Sequence, residues 1–147
     1  MPILFAAALL ATPPELAPLD FLVGHCWRGA LANLDSDTHC FKLAGSRVID
    51  HHEVVHDGKS VYSGDTVYAW SGGAIHWTYT SVDGGTMKGE VHGSPAGLDY
   101  GTADYVGKDG SRITMTVNWD HADGADAYQA IHEIGGNARS VRYTRVD

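Results

Sequence analysis

Residues 60–92 decide the fold and read SVYSGDTVYAWSGGAIHWTYTSVDGGTMKGEVH. Two glycine-containing turns, Gly72-Gly73 and Asp83-Gly84-Gly85, divide this stretch into three segments rich in Val, Ile, Thr, Tyr and Trp. Apolar and polar residues alternate within the segments, as they do in antiparallel strands that bury only one face. The stretch therefore predicts three strands joined by short turns, over residues 60–70, 74–81 and 86–92.

Similar turns recur on both sides of this stretch, about every 10 to 14 residues, a spacing typical of all-β domains. They are Asp57-Gly58, Ser94-Pro95-Ala96-Gly97, Lys108-Asp109-Gly110, Ala122-Asp123-Gly124 and Gly135-Gly136-Asn137. Seven more strands are predicted over residues 24–32, 37–43, 46–56, 98–106, 111–120, 125–134 and 138–146. Apolar residues do not recur at helical spacing, and 18 glycines would destabilise helix interiors. We therefore predict an all-β fold, an antiparallel up-and-down meander of about eight to ten strands closed into a barrel.

Size and charge limit the partners of this domain. A chain of 147 residues forms one domain with a sizeable core. Its formal charge of -8 gives nucleic acid or an anionic membrane surface no electrostatic reason to bind. No apolar run reaches the ~20 residues that a membrane-spanning helix needs. We therefore expect a small-molecule ligand, no nucleic acid and no membrane insertion, and the oligomeric state stays open.

Residues 1–19 differ in composition from the rest of the chain. Residues 3–11 are uninterruptedly apolar, and a proline-rich segment follows at residues 12–18. An apolar run of this length fits the central region of a secretory signal peptide, so we predict export and assign residues 20–147 to the barrel. The alternative is a short N-terminal helix that packs across one mouth of the barrel.

Cys26 and Cys40 are the only cysteines and lie in the first predicted hairpin. If the turn of this hairpin centres on Asn33, the two cysteines face each other across the strand pair. A turn centred on residues 35–37 would place Cys40 opposite Ala30 instead. We favour the first register and a disulfide between Cys26 and Cys40, because two thiols alone rarely complete a metal site.

The alternation within strands predicts which side chains point into the barrel. On the strand at residues 111–120, apolar residues share one face and polar residues the other, and the strands at 74–81 and 86–92 are similarly one-sided. On the strand at 60–70 the aromatic face is the better inward candidate. The predicted interior is aromatic, and its members are Tyr62, Tyr68, Trp70, Trp77, Tyr79, Met87, Met115 and Trp119. Such side chains either line a ligand cavity or fill the barrel completely. We favour a cavity, because tyrosine hydroxyls need partners once they are buried.

The densest group of titratable residues lies at positions 50–56. On a strand, His51 and Glu53 face one side, whereas Asp50 and His52 face the other. Either choice of inward face brings a histidine and a carboxylate into the barrel, where burial can tune them for acid–base chemistry. His52 and His56 would lie roughly 13 Å apart, too far to share a metal ion. We therefore name Asp50, His51, His52 and Glu53 as catalytic candidates and expect no metal.

The segment FLVGHCWRG at residues 21–29 resembles the first strand of lipocalin-like, or calycin-type, barrels. In that superfamily a tryptophan near the start of the barrel is covered by an arginine from the last strand, which here implies Trp27 and Arg142, with Arg145 as second choice. The elements His39-Cys40-Phe41 and YSGDTVYAW at residues 62–70 are similar to those of uncharacterised exported bacterial proteins with a lipocalin-like domain. This resemblance implies a periplasmic location and no established activity.

The sequence thus predicts an exported barrel that binds a small apolar or aromatic molecule. One alternative is an isomerase- or lyase-type enzyme that uses a buried histidine, a carboxylate and a tyrosine. The other is a filled barrel in the cell envelope that has no ligand. No cofactor is expected, and haem bound through His132 is the lesser alternative.

Overall fold

The computed structural model describes residues 11–122 and 124–147. Ten antiparallel strands form a closed barrel, with each strand hydrogen-bonded to its sequence neighbours and β1 paired with β10. The strands are β1 (Cys26–Ala30), β2 (Ser36–Ala44), β3 (Arg47–His56), β4 (Lys59–Ser71), β5 (Ala74–Ser81), β6 (Thr86–Ser94), β7 (Gly97–Val106), β8 (Arg112–Asp120), β9 (Ala127–Ile134) and β10 (Asn137–Arg145). The predicted all-β meander and its closure into a barrel are confirmed, as the lipocalin-like resemblance implied.

A short 3-10 helix at Pro14–Leu19 closes one end of the barrel. It packs against β4 and β6, and its side chains Leu16 and Leu19 are fully buried in the core. The two leucines cover apolar surface at this end of the barrel. The apolar run at residues 3–10, on which the export prediction depends, lies outside the described residues.

The disulfide predicted between Cys26 and Cys40 is present. The two cysteines are directly opposite in the pairing of β1 with β2, so the hairpin centres on Asn33. They alternate with Trp27 and His39, whose side chains point into the barrel. Within the described residues, no helix is long and apolar enough to cross a membrane.

Trp27 is buried at the closed end, but the expected contact with Arg142 is not formed. Tyr143 is the inward residue of this part of β10, so its neighbour Arg142 projects outward and is exposed. The Trp27 ring packs instead on Phe21 and Tyr128, at ring-centroid distances of 6.1 and 5.3 Å. Arg145, the second choice, forms an ion pair with Asp126 at 3.0 Å. Aromatic contacts therefore cover Trp27 where we expected an arginine.

Candidate functional site: an aromatic cavity with a histidine–carboxylate cluster

The barrel encloses a cavity of about 360 Å³, within the range of small-molecule sites. Its wall is mainly aromatic, with polar residues concentrated on β2 and β3. The lining residues are Asp37, His39, Asp50, His52, Tyr62, Thr66, Tyr68, Trp77, Tyr79, Met87, Tyr100, Tyr105, Met115, Val117, Trp119, Ala130, His132 and Tyr143. All the side chains that we predicted in the interior as candidates for ligand binding, except Trp70, lie in this wall.

Trp70 has the predicted direction but lies too far along its strand. It pairs with Ile75 beside the Gly72-Gly73 turn, one step beyond the paired cavity residues Tyr68 and Trp77. At the end of β4 its side chain is 46% exposed. Alternation predicts the face of a residue, but it does not predict its depth in the barrel.

Two inward-facing glycines give the aromatic rings room against the wall. Tyr79 on β5 leans across β4 so closely that a Cβ on Gly64 would overlap its ring. Trp77 lies over Gly89 of β6, where a Cβ would approach within 3.1 Å of the indole. Because the rings lie along the wall, the middle of the barrel stays open.

The third strand turns Asp50 and His52 inward. They share their face with Val48 and Val54, which are buried, while His51 and Glu53 lie on the outer face. The outward His51 pairs with Asp65 of β4 at 2.7 Å, and both side chains are more than half exposed. Of the four catalytic candidates, the structure therefore brings Asp50 and His52 to the cavity and keeps His51 and Glu53 away from it.

The second strand contributes Asp37 and His39, which we did not predict as site residues. They alternate along β2 with the disulfide cysteine Cys40 and share the inward face with buried Phe41. His39 lies directly opposite His52 in the pairing of β2 with β3. The large apolar Phe41 on the same face was the available signal for this orientation.

His39 is held between two carboxylates. Its Nδ1–H donates to Asp50 Oδ2 at 2.6 Å and its Nε2–H donates to Asp37 Oδ2 at 3.1 Å. Since both ring nitrogens donate, the ring is an imidazolium. Burial acts to lower the pKa of His39, but the charges of Asp50 and Asp37 outweigh it and raise this pKa to about 10. His39 is therefore a fixed buried cation at neutral pH.

Asp37 is the acceptor at the centre of the cluster. Besides His39 it accepts hydrogen bonds from the Tyr143 hydroxyl at 2.7 Å and from His52 Nδ1–H at 3.0 Å. Burial acts to raise the pKa of Asp37, but the hydrogen bonds and charges of the two histidines hold it well below its usual range. Burial and the negative charge of Asp37 raise the pKa of Tyr143, so this phenol remains a hydrogen-bond donor.

A chain of hydrogen bonds leads from Asp37 along the cavity wall. His52 Nε2 lies 2.8 Å from the Tyr79 hydroxyl, which is hydrogen-bonded to the Tyr62 hydroxyl at 2.9 Å. Tyr79 donates its single hydroxyl proton to Tyr62, and its oxygen lies within hydrogen-bond distance of His52 Nε2. Burial in particular raises the pKa of Tyr79, which keeps this hydroxyl protonated. The arrangement connects a buried carboxylate to a phenol through an imidazole.

Asp37, His39 and His52 are also the residues to test for a metal ion, since their donor atoms lie within 4.8 Å of one another. The rings of His39 and His52 stack at a centroid distance of 4.8 Å with an interplanar angle of 14°. Nitrogen lone pairs lie in the ring plane, so two nearly parallel rings cannot both direct a lone pair at one ion. Both nitrogens of His39 also carry protons. This ring arrangement is unfavourable for a metal ion shared by the two histidines.

His132, the residue that we named as a haem ligand, lies in the cavity wall on β9. Burial and the positive charge of His39 lower the pKa of His132, so this imidazole is neutral at neutral pH. Its pairing partner on β8 is Val117, another lining residue. His132 thus contributes no positive charge to the cavity.

No model of a known protein family matches this chain, and no curated protein matches it at a significant level.

Proposed function

We propose that this protein binds a small, largely apolar or aromatic molecule inside its barrel, as an exported lipocalin-like protein of the bacterial periplasm. The observation that carries the proposal is the cavity itself, a space of about 360 Å³ with an aromatic wall and one polar side. Ligand sites commonly combine such apolar surface with a few placed polar groups. The Cys26–Cys40 disulfide is compatible with an oxidising compartment.

Tryptophan fluorescence tests the proposal, because the described tryptophans occupy distinct places. Trp77 and Trp119 line the cavity, Trp27 is buried at the closed end and Trp70 lies exposed at the end of β4. The full chain is titrated with a panel of uncharged aromatic molecules such as indole and 2-naphthol. We expect at least one to quench or shift the emission at micromolar concentration.

Matched variants locate the signal. In Trp70→Phe the ligand-induced change should persist, whereas in Trp77→Phe and Trp119→Phe its amplitude should fall. A chain whose emission no compound alters would support the filled barrel instead. A signal that only Trp70→Phe removes would place binding at the end of the barrel, outside the cavity.

A second function, the acid–base enzyme, is favoured by one specific observation, the hydrogen-bonded chain from Asp37 through His52 to Tyr79. It supplies an imidazole whose orientation a carboxylate fixes and a phenol that can donate a proton, the groups that isomerases and lyases use for proton transfer. The expected substrate atom lies within hydrogen-bond reach of the Tyr79 or Tyr62 hydroxyl.

Proton exchange tests this second function. An enzyme of this type should catalyse exchange of an acidic C–H of a bound carbonyl compound with D₂O, and His52→Gln should abolish the exchange. His51→Gln on the outer face is the matched control and should leave it unchanged. Equal exchange in both variants would contradict an acid–base function of His52.

A further inference from the structure

The charges in the cavity wall are unequal. Asp37 and Asp50 each contribute a carboxylate, and His39 is the imidazolium between them. The pKa of His132 is lowered, so this residue is neutral at neutral pH. Among the described residues that line the cavity, none is a lysine or an arginine. Two carboxylates against one imidazolium leave the triad of Asp37, His39 and Asp50 with one negative charge in excess.

Part of this negative charge has no hydrogen-bond partner. Asp50 is only 2% exposed, and one of its oxygens is bonded to His39. Its other oxygen, Oδ1, is buried without a partner among the described residues. A buried acceptor of this kind costs free energy unless a donor or a positive charge compensates it. Because Oδ1 itself is out of reach of solvent, a ligand in the cavity beside Asp50 compensates it through a positive charge acting over distance.

The rest of the wall is well suited to a cation. Tyr62, Trp77, Tyr79, Tyr105 and Trp119 present aromatic rings to the cavity, and the faces of such rings attract a positive charge. The surrounding apolar wall lowers the local dielectric, so the excess charge acts more strongly than it would in water. The net charge of -8 on the whole chain also draws cations toward the protein and repels anions.

We propose that the ligand of this barrel is an organic cation, an amine or a quaternary ammonium compound with an apolar or aromatic body. The proposal rests on the proposed binding function and specifies its ligand class. The cationic group lies among the aromatic rings on the Asp37 and Asp50 side of the cavity, and the apolar body fills the remainder. Anionic ligands such as fatty acids are disfavoured in this site.

A pair of isosteric probes tests the proposal on the unmodified protein. Benzyltrimethylammonium and neopentylbenzene have nearly the same shape, and only the first is charged. Both are titrated by tryptophan fluorescence at pH 8 in the same buffer. We expect the cation to bind at least about tenfold more tightly, the size of effect that a partly desolvated cation–π site gives.

The outcomes separate this proposal from the binding function. Equal or tighter binding of neopentylbenzene overturns the proposal that the ligand is a cation, while it leaves the binding function in place. Binding of neither probe, nor of any compound in the neutral panel, overturns both. Micromolar Zn²⁺ is added in a third titration, and competitive displacement of the cation by Zn²⁺ would reassign the site to a metal ion.

Two sets of variants locate the cation. Asp50→Asn should reduce the preference for the cation about tenfold, since it removes the excess charge from the wall. Asp65→Asn removes the same charge from the outer face and should leave the preference unchanged. Should Asp50→Asn not fold, Tyr105 provides a second comparison, in which Tyr105→Leu lowers the preference and Tyr105→Phe preserves it. Equal preferences in all folded variants would contradict the assignment.

Discussion

The histidines inside the barrel and those on its outer face make contacts of the same length in different surroundings. Inside, His39 and Asp50 lie 2.6 Å apart with side chains 13% and 2% exposed. Outside, His51 and Asp65 lie 2.7 Å apart with side chains 55% and 58% exposed. Water screens the outer pair, so its contribution to stability is small. The inner pair is removed from water, so losing one partner leaves an uncompensated charge. Distance alone therefore does not distinguish a site from a surface contact.

Replacing Asp37, the central acceptor of the inner cluster, should give the largest difference in stability between the cavity and the outer face. Asp37→Asn removes the charge that accepts hydrogen bonds from His39, His52 and Tyr143, so we expect a loss of about 3–5 kcal/mol in the free energy of unfolding. The matched change Asp65→Asn should cost less than about 1 kcal/mol. Urea unfolding of both variants measures the difference. Similar losses in the two would show that the inner cluster is as well solvated as the outer pair.

The second effect should be a pH dependence of the free energy of unfolding that is caused by His39. Its pKa of about 10 in the folded protein exceeds the value of 6.5 for a free histidine, so the folded state binds the proton more tightly. The resulting stabilisation is complete below about pH 6.5 and decreases as the pH rises toward 10, with about 3 kcal/mol lost by pH 9. Asp37 acts in the opposite direction, since its lowered pKa gives a stabilisation that is lost as the pH falls below about 4.

Urea unfolding at pH 6.5 and pH 9 measures the His39 contribution, and NMR of the imidazole protons identifies its source. The His39 ring should remain protonated through pH 9. A His39 midpoint near 6.5 would show that the two carboxylates do not hold the ring as described. The outer-face variant His51→Gln should keep the same loss of stability between the two pH values.

The disulfide also lies outside the cavity, but because it is a covalent bond it should stabilise the fold more than the outer ion pairs do. Cys26 and Cys40 lie on the same strand pair as His39 but on the other side of it, 14 residues apart in sequence. The double change to serine should lower the free energy of unfolding by about 3 kcal/mol, because the unfolded chain is no longer cross-linked. Unfolding with and without reductant provides the comparison. The same denaturation midpoint with and without reductant would show that the disulfide does not stabilise the fold.

The smallest effect on stability should come from adding a methyl group at Gly64, which lies directly under the Tyr79 ring. Gly64→Ala places a methyl group against the Tyr79 ring and should cost about 1–3 kcal/mol while moving the hydroxyl away from His52. Ser63→Ala, on the outer side of the same strand, should cost less than about 0.5 kcal/mol. In a Tyr79→Leu background the Gly64→Ala change should cost less. An unchanged cost in that background would mean that another residue opposes the methyl group.

The sequence was sufficient to predict the strands because β3 to β9 each lie between glycine-containing turns. It also predicted the inward faces of β5, β6 and β8, where apolar and polar residues alternate clearly, and of β4, where the aromatic residues share one face. It could not decide the face of β3, since both faces combine aliphatic residues with a histidine. The structure decides it through Val48 and Val54, which lie in the core beside Asp50 and His52.

The polar cluster was harder to predict because it depends on contacts between distant segments. Asp37 meets Tyr143, 106 positions later in the chain, and only closure of β1 against β10 brings them together. His39 appeared as one of several scattered histidines, although Phe41 on the same face indicates its inward direction. The position of Trp70 beyond the cavity likewise depends on where each strand ends, which alternation does not encode.

Native mass spectrometry of the full chain, purified from the cells that make it, tests most directly whether the barrel holds a ligand. The wild-type protein should carry a small molecule of discrete mass, which denaturation releases and whose mass and charge can then be determined. The variant Met115→Trp, which adds volume to the cavity wall, should be folded and should lack this mass. A wild-type protein that shows only the mass of the polypeptide, as Met115→Trp does, would contradict a ligand-binding barrel.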